Sequence, residues 1–370
     1  MSDGRAANEA TTRITELPES VAALAPAPRM RVERLFEIVR SVGSTDPPAA
    51  MDAWLEAHFG SVEAVRSQTI VRVVNRWTLE GTLYSGLRAQ RPMEVAGDDG
   101  AEDDAGGSDP FCDPERQTPA ASWGRIRGAH AVTGANAAKY DAHHAIIVFD
   151  RHDPLAFDRA SILDLFAVGR AWAERARGED PEANAYVLTW NCGWRAGASI
   201  RHGHAQALLG RGHYPRVERL RRVAADYRAA NGTPYLSDLV AAHRDLGLAI
   251  DREGVSLIAS LTPVKERELL VVGPPGMDER DEAFAGLVAD ALVAYRDRVG
   301  VRSFNLALHI PPLAPSEDPD AWADIGPVVH VVDRGNPGVR SSDIGSMELF
   351  AASVVSADPF VLAGQLRAAL

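Results

Sequence analysis

Two histidines and a glutamine, His202, His204 and Gln206, recur at every second position at the end of the run NCGWRAGASIRHGHAQ (191–206). On an extended strand, side chains alternate between the two faces, so all three would point the same way and line one site. Gly193, Gly197 and Gly203 would let the backbone turn tightly or approach a ligand closely. Asn191 and Ser199 add polar groups suited to phosphate oxygens. A neutral imidazole is a competent nucleophile near pH 7. Attack on phosphorus would give a phosphoramidate, which splits one group transfer into two steps. Gln206 does not titrate, so it can donate a hydrogen bond to a phosphoryl oxygen without acting as a strong acid. An isolated His-x-His pair reads as a packed or metal-structural pair. The surrounding Asn, Gly, Ser and Gln instead point to phosphoryl chemistry, which rests on positioning and charge stabilisation, with His204 as the nucleophile.

The elements around this run must hold it in place. Residues 1–28, rich in Ala, Glu, Thr and Pro, read as a mobile arm. From Met30 to Val65, apolar residues (Leu35, Ile38, Val39, Val42) recur at helical spacing, followed by Trp54, Leu55 and Phe59. Residues 69–76 (TIVRVVNR) are strand-like, and the acidic, Gly-rich segment 94–110 reads as a solvated loop. Then comes a strand at 144–149 (HAIIVF) and a helix at 161–177 with Ile162, Leu165, Phe166, Gly169 and Trp172 on one face. A strand at 185–190 (AYVLTW) leads into the motif. The second half repeats the order: strands at 255–261 and 268–272, a helix at 281–298 with Phe284, Leu287, Val288, Ala291 and Tyr295 inward, and strands at 303–309 (SFNLALH) and 328–332 (VVHVV). This predicts an α+β fold of two tandem units, 29–220 and 221–370, with antiparallel sheets flanked by helices.

The 370 residues carry a net charge of −12 with a pI near 5.4, which argues against a polymeric nucleic acid as partner, although a few local Arg or Lys residues suffice for one nucleotide. Two cysteines, Cys112 and Cys192, make no disulfide framework, the first residues lack a signal-peptide core, and no apolar stretch is long enough to span a membrane. These features predict a cytoplasmic, soluble protein.

The motif resembles the histidine triad superfamily, in particular its galactose-1-phosphate uridylyltransferase branch, whose pattern is N-x-G-x-x-x-G-x-S-x-x-H-P-H-x-Q. The chain departs from it at Gly203, where the family usually has Pro. LRAQRP (87–92) is similar to the family's N-terminal arginine segment, which implicates Arg88 and Arg91 in nucleotide contact. HAIIVFDRHDPL, SFNLALHIPP and the C-terminal segment from Gly345 follow in the family's order, the last carrying a sugar-binding Glu at Glu348. The resemblance implies a histidine-triad-like fold, and transfer of a nucleoside monophosphate, UMP first, between a nucleotide sugar and a sugar 1-phosphate through nucleotidyl-His204. It implies no organic cofactor and a possible homodimer. It also implies zinc held by Asp109, Cys112, His152 and His202, with Asp109 standing where the family has the first Cys of C-x-x-C.

The likeness thins in three places. His309 and His330 match two ligands of a second metal site in some relatives, but Val328 stands where a His is common, so that site is not expected. The family's G-[FY]-E is Ser346-Met347-Glu348, and Ser342 replaces a Lys of some members, so galactose is not implied. His58, His130, His143, His213 and His243 read as surface or structural. Two alternatives stay open: a phosphorylase of dinucleoside polyphosphates or nucleotide sugars, and a nucleotide-binding relative without turnover.

Overall fold

In the computed structural model of the chain, residues 13–90, 108–314, 319–339 and 342–370 are described. The strands are β1 (Phe36–Ser44), β2 (Ser67–Asn75), β3 (Gly81–Tyr84), β4 (Ala131–Ala135), β5 (His143–Phe149), β6 (Ala183–Cys192) and β7 (His204–Arg211) in the first part of the chain. The second part adds β8 (Ala249–Arg252), β9 (Val255–Ala259), β10 (Leu269–Val272), β11 (Phe304–His309), β12 (Val328–Asp333) and β13 (Ser353–Val355). Nine of them form one antiparallel sheet in the order β4-β5-β7-β6-β11-β12-β10-β9-β8, and the other four form a sheet in the order β1-β2-β3-β13. The fold is α+β, as expected, with one parallel pair, β3 with β13.

The two halves do not stand apart. They meet at the β6–β11 pairing, from Phe304 opposite Cys192 to His309 opposite Val187. The expected boundary at 220/221 falls inside the helix Pro215–Asn231, and β13 returns the end of the chain to the sheet of β1 to β3.

Paired residues on neighbouring strands share a face, and here the two faces divide the labour. One carries Ile147, Leu188, Trp190, Ala205, Ala207 and Leu306, all buried, beneath helices. The helix Arg159–Glu179 starts at an Asp158 cap that accepts the Ser161 N–H at 2.9 Å. It lays Ile162, Leu165, Phe166 and Trp172 on the core, and Gly169 gives room to Tyr186 and Leu188. The helix Glu282–Asp297 does the same for the second half with Phe284, Leu287, Val288, Ala291 and Tyr295. The opposite face carries polar side chains, from His144 through Gln206, His204, Asn191 and Asn305 to His309 and His330.

Two expectations are overturned. The mobile arm is packed from Ile14 onward: Leu17–Ala23 and Pro26–Leu35 are helices, and Ile14, Leu17, Val21 and Val32 are buried in the core. Residues 1–12 lie outside the described residues. The helical spacing of Leu35, Ile38, Val39 and Val42 breaks after Leu35, because residues 36–44 pair along their whole length with β2 and long-range ladder bonds outweigh local periodicity. Trp54, Leu55 and Phe59 do lie on a helix, Asp52–Phe59. No helix among the described residues is long and apolar enough to cross a membrane.

Candidate active site

The motif folds as a loop and then a strand. Cys192 ends β6, Gly193 and Gly197 take φ values of 85° and 95° that side chains disfavour, and β7 begins at His204. His204 is 6% exposed, and its Nδ1 lies 2.8 Å from the His202 carbonyl oxygen. A carbonyl only accepts, so Nδ1 carries the proton and the lone pair sits on Nε2. Burial pushes the imidazole below its ordinary pKa, which favours the neutral, nucleophilic form. The Phe111 and His204 rings meet in a T-shaped contact, with their centroids 4.8 Å apart. Phe111 belongs with Val132, Ile146 and Val148 to a small apolar cluster apart from the main core, joined by Ile200.

Gln206 follows on the same face of β7. Its Oε1 lies 2.8 Å from Nε2 of His144, a buried residue of β5. His202, expected to line the site within the strand, instead precedes β7 and turns to another group. Its Nε2–H donates to the Phe149 carbonyl at 2.8 Å, which leaves Nδ1 facing Asp109 at 3.9 Å and Cys112 Sγ at 3.7 Å. His152 Nδ1 lies 3.3 Å from Cys112 Sγ and 3.8 Å from Asp109.

The ligand atoms of Asp109, Cys112, His152 and His202 all lie within 4.8 Å of one another. Tetrahedral zinc with bonds of about 2.0–2.3 Å needs ligand–ligand edges of about 3.3–3.8 Å, so the donor set and spacing suit a metal. The His202 Nε2–H bond to a backbone carbonyl is the kind of support that orients a metal-bound imidazole. Gly203 explains its own departure from the family pattern: its N–H donates to the His152 carbonyl at 3.1 Å, which a proline cannot do.

On the other side of His204, Trp190 pairs with Ala205, so the next residues, Asn191 and His204, stand side by side at the strand ends. Asn191 Oδ1 accepts from Asn305 Nδ2 at 2.7 Å, and Asn305 Oδ1 accepts from Arg334 at 2.6 Å. Arg334 lines a cavity of about 300 Å³ together with Arg88, Lys265, Arg267 and Glu348. Arg88 is 3.9 Å from Glu348, whose other oxygen accepts the Gly345 N–H at 2.8 Å. Burial lowers the Lys265 pKa, and its ammonium donates to the Asp343 carbonyl.

No family model matches the chain, and no curated protein matches it by sequence. Solved structures do. An ADP-glucose phosphorylase from Arabidopsis thaliana, with bound ADP-glucose, matches at a TM-score of 0.62 and 16% identity over 79% of this chain and 96% of its own. A galT-like protein from the same plant matches at 0.58 and 17% identity, over 71% and 93% of the two chains. A uridylyltransferase matches at 0.57 and 16% identity, over 81% and 98%. The chain has their histidine-triad-like fold.

Within that fold, Asn191, His204 and Gln206 share one face of the sheet, and His202 joins Asp109, Cys112 and His152 instead. Ser199 is exposed on the loop before His202. Arg88 shares a cavity with Glu348, and none of the apolar cluster beside His204 lines it. Arg91 lies outside the described residues. Sequence reasoning missed His144, Asn305, Arg334 and Lys265. Asn305 had a readable signal, since it alternates with Ala307 and His309 on one face of β11. His330 is bonded to Glu268 at 3.1 Å, with the His309 ring 5.1 Å away, and burial holds His309 down at about 3.

Proposed function

We propose that the chain transfers a nucleoside monophosphate, with UMP the first candidate, from a nucleotide sugar to a phosphate-bearing acceptor through nucleotidyl-His204. The observation that carries this reading is the His204 tautomer: its proton is engaged by the His202 carbonyl, which leaves Nε2 as a free nucleophile on the polar sheet face. Nε2 attacks the α-phosphorus, the Nε2–P bond forms, and the P–O bond to the leaving sugar 1-phosphate breaks with its electron pair going to that phosphate. No proton need leave the ring, because the positive charge it gains is spread toward the Nδ1–H···O contact. An acceptor phosphate oxygen then attacks phosphorus and Nε2 departs.

The surroundings suit the sugar phosphate end of such a donor: the cavity holding Arg334, Lys265, Arg88 and Glu348 offers cations and a carboxylate, while the buried Phe111, Val132 and Ile146 cluster keeps one side of His204 apolar. For the metal we propose zinc, which accepts mixed Asp, Cys and His ligands. Bound there it would tie the Asp109–Cys112 turn to His202, whose carbonyl orients His204.

Among the proteins sharing the fold, one is an ADP-glucose phosphorylase and another a uridylyltransferase, so inorganic phosphate and a sugar 1-phosphate are the acceptors to compare. Incubated with UDP-glucose or ADP-glucose, the protein should yield a nucleoside diphosphate with phosphate, or a new nucleotide sugar with galactose 1-phosphate, with ping-pong kinetics. Lys265→Met should raise the acceptor KM about tenfold, the scale of one charge-assisted hydrogen bond. Kinetics that require donor and acceptor bound together would overturn the covalent route.

A further inference from the structure

We propose that His144 is a positioning residue for this transfer, a buried imidazole that locks Gln206 so that its amide N–H groups, and not its oxygen, face the phosphoryl group at His204. The inference rests on the transfer reading above and adds a residue to it. The argument is one of donors and acceptors. The Tyr140 backbone N–H points at His144 Nδ1 at 3.1 Å, so Nδ1 must present its lone pair. A neutral ring then carries its proton on Nε2, and burial favours that neutral ring.

Two groups approach Nε2. Asn136 Nδ2 lies 3.3 Å away, but it is itself a donor, because Asn136 Oδ1 accepts the Ala138 N–H at 2.9 Å. Gln206 Oε1, at 2.8 Å, is therefore the acceptor. With its oxygen held, the Gln206 amide has one orientation, and its NH2 is the group left for a ligand. An unpinned glutamine could turn its oxygen toward the phosphoryl oxygens and repel them. His144 and Gln206 are diagonal neighbours across β5 and β7, since Ile146 pairs with Gln206 and His144 with Leu208. The turn that supplies Tyr140 is fixed to the same strand, with the Asn136 N–H on the His144 carbonyl at 3.0 Å.

The test combines a spectroscopic and a kinetic reading on the full chain. Long-range 1H–15N spectra should place the His144 proton on Nε2. In single turnover with UDP-glucose or ADP-glucose, followed by intact mass, His144→Phe should slow nucleotidylation by about ten- to a hundredfold, the scale of a misplaced group. Donor Kd should stay unchanged. His144→Gln, whose amide can still donate to Gln206, should recover part of the rate. Adding Gln206→Ala to His144→Phe should cost nothing further, because the two act as one unit. A proton on Nδ1, a full rate in His144→Phe, or losses that multiply would overturn the positioning role while leaving the adduct intact. A wild-type protein that forms no adduct with either donor would instead remove the transfer reading for these donors, and the role with it.

Discussion

His204 and Gln206 each have a neighbour that fixes where their hydrogens lie. The His202 carbonyl holds the proton of one, and the His144 ring holds the oxygen of the other. Gly203 lies between the two motif histidines and does something a proline could not, donating to the His152 carbonyl at 3.1 Å. A β-carbon at Gly203 would also come within 3.0 Å of the Phe149 ring and 3.2 Å of the Pro154 backbone. Gly203→Pro, which would restore the resembled family's residue, should therefore destabilise the protein by about 1–3 kcal/mol from the lost hydrogen bond alone. Urea unfolding of the two proteins measures the difference, and equal stability would show that this N–H is dispensable. His202 precedes β7 and turns to the Phe149 carbonyl, but His204 and Gln206 were readable as a pair because strand periodicity needs no knowledge of the rest of the chain. His144 was not, because its partner lies 62 residues away and only the β5–β7 register joins them.

At the scale of elements, the cluster of Asp109, Cys112, His152 and His202 joins three pieces: the turn at Pro110–Cys112 with the residue before it, the segment after β5 and the loop leading into β7. Asp109 also accepts the Phe111 N–H at 2.8 Å, so the same carboxylate steadies the ring that packs on His204. Zinc bound there should add about 4 kcal/mol of apparent stability at a thousandfold excess over its dissociation constant. Elemental analysis should find one zinc per chain. A chelator should lower the Tm, and Cys112→Ser should lower it similarly and abolish the chelator's effect. A Tm indifferent to both would remove the metal from the account. The strands and the two long helices were legible because their apolar residues repeat with periods of 2.0 and 3.6. Residues 36–44 were misread because Ile38, Val39 and Val42 fit a helical stripe, and only their pairing with β2 decides between the two. The packed helix at Leu17–Ala23 and the first turn of Pro26–Leu35 were hidden by an Ala- and Pro-rich composition that resembles a linker.

Across the whole molecule, the continuous nine-stranded sheet makes one working face out of two halves. Its first half supplies His204, Gln206 and the buried Phe111 cluster. Its second half supplies Asn305 and Arg334, which connect Asn191 to the cavity holding Lys265 and Glu348. The repeated strand–helix–strand order was visible in the sequence, but the β6–β11 pairing that fuses the halves was not, because a strand's own alternation does not name its partner. The central claim is that phosphorus becomes bonded to His204, and intact-mass spectrometry at neutral or alkaline pH tests it most directly, because phosphoramidates are acid-labile. After incubation with UDP-glucose or ADP-glucose, the protein should gain the mass of one UMP or AMP. His204→Asn should gain none, and added galactose 1-phosphate or inorganic phosphate should remove the adduct from the wild type. An adduct of the same mass that persists in His204→Asn would contradict the assignment of the nucleophile. Turnover of either donor with no adduct at any time would contradict the covalent route itself.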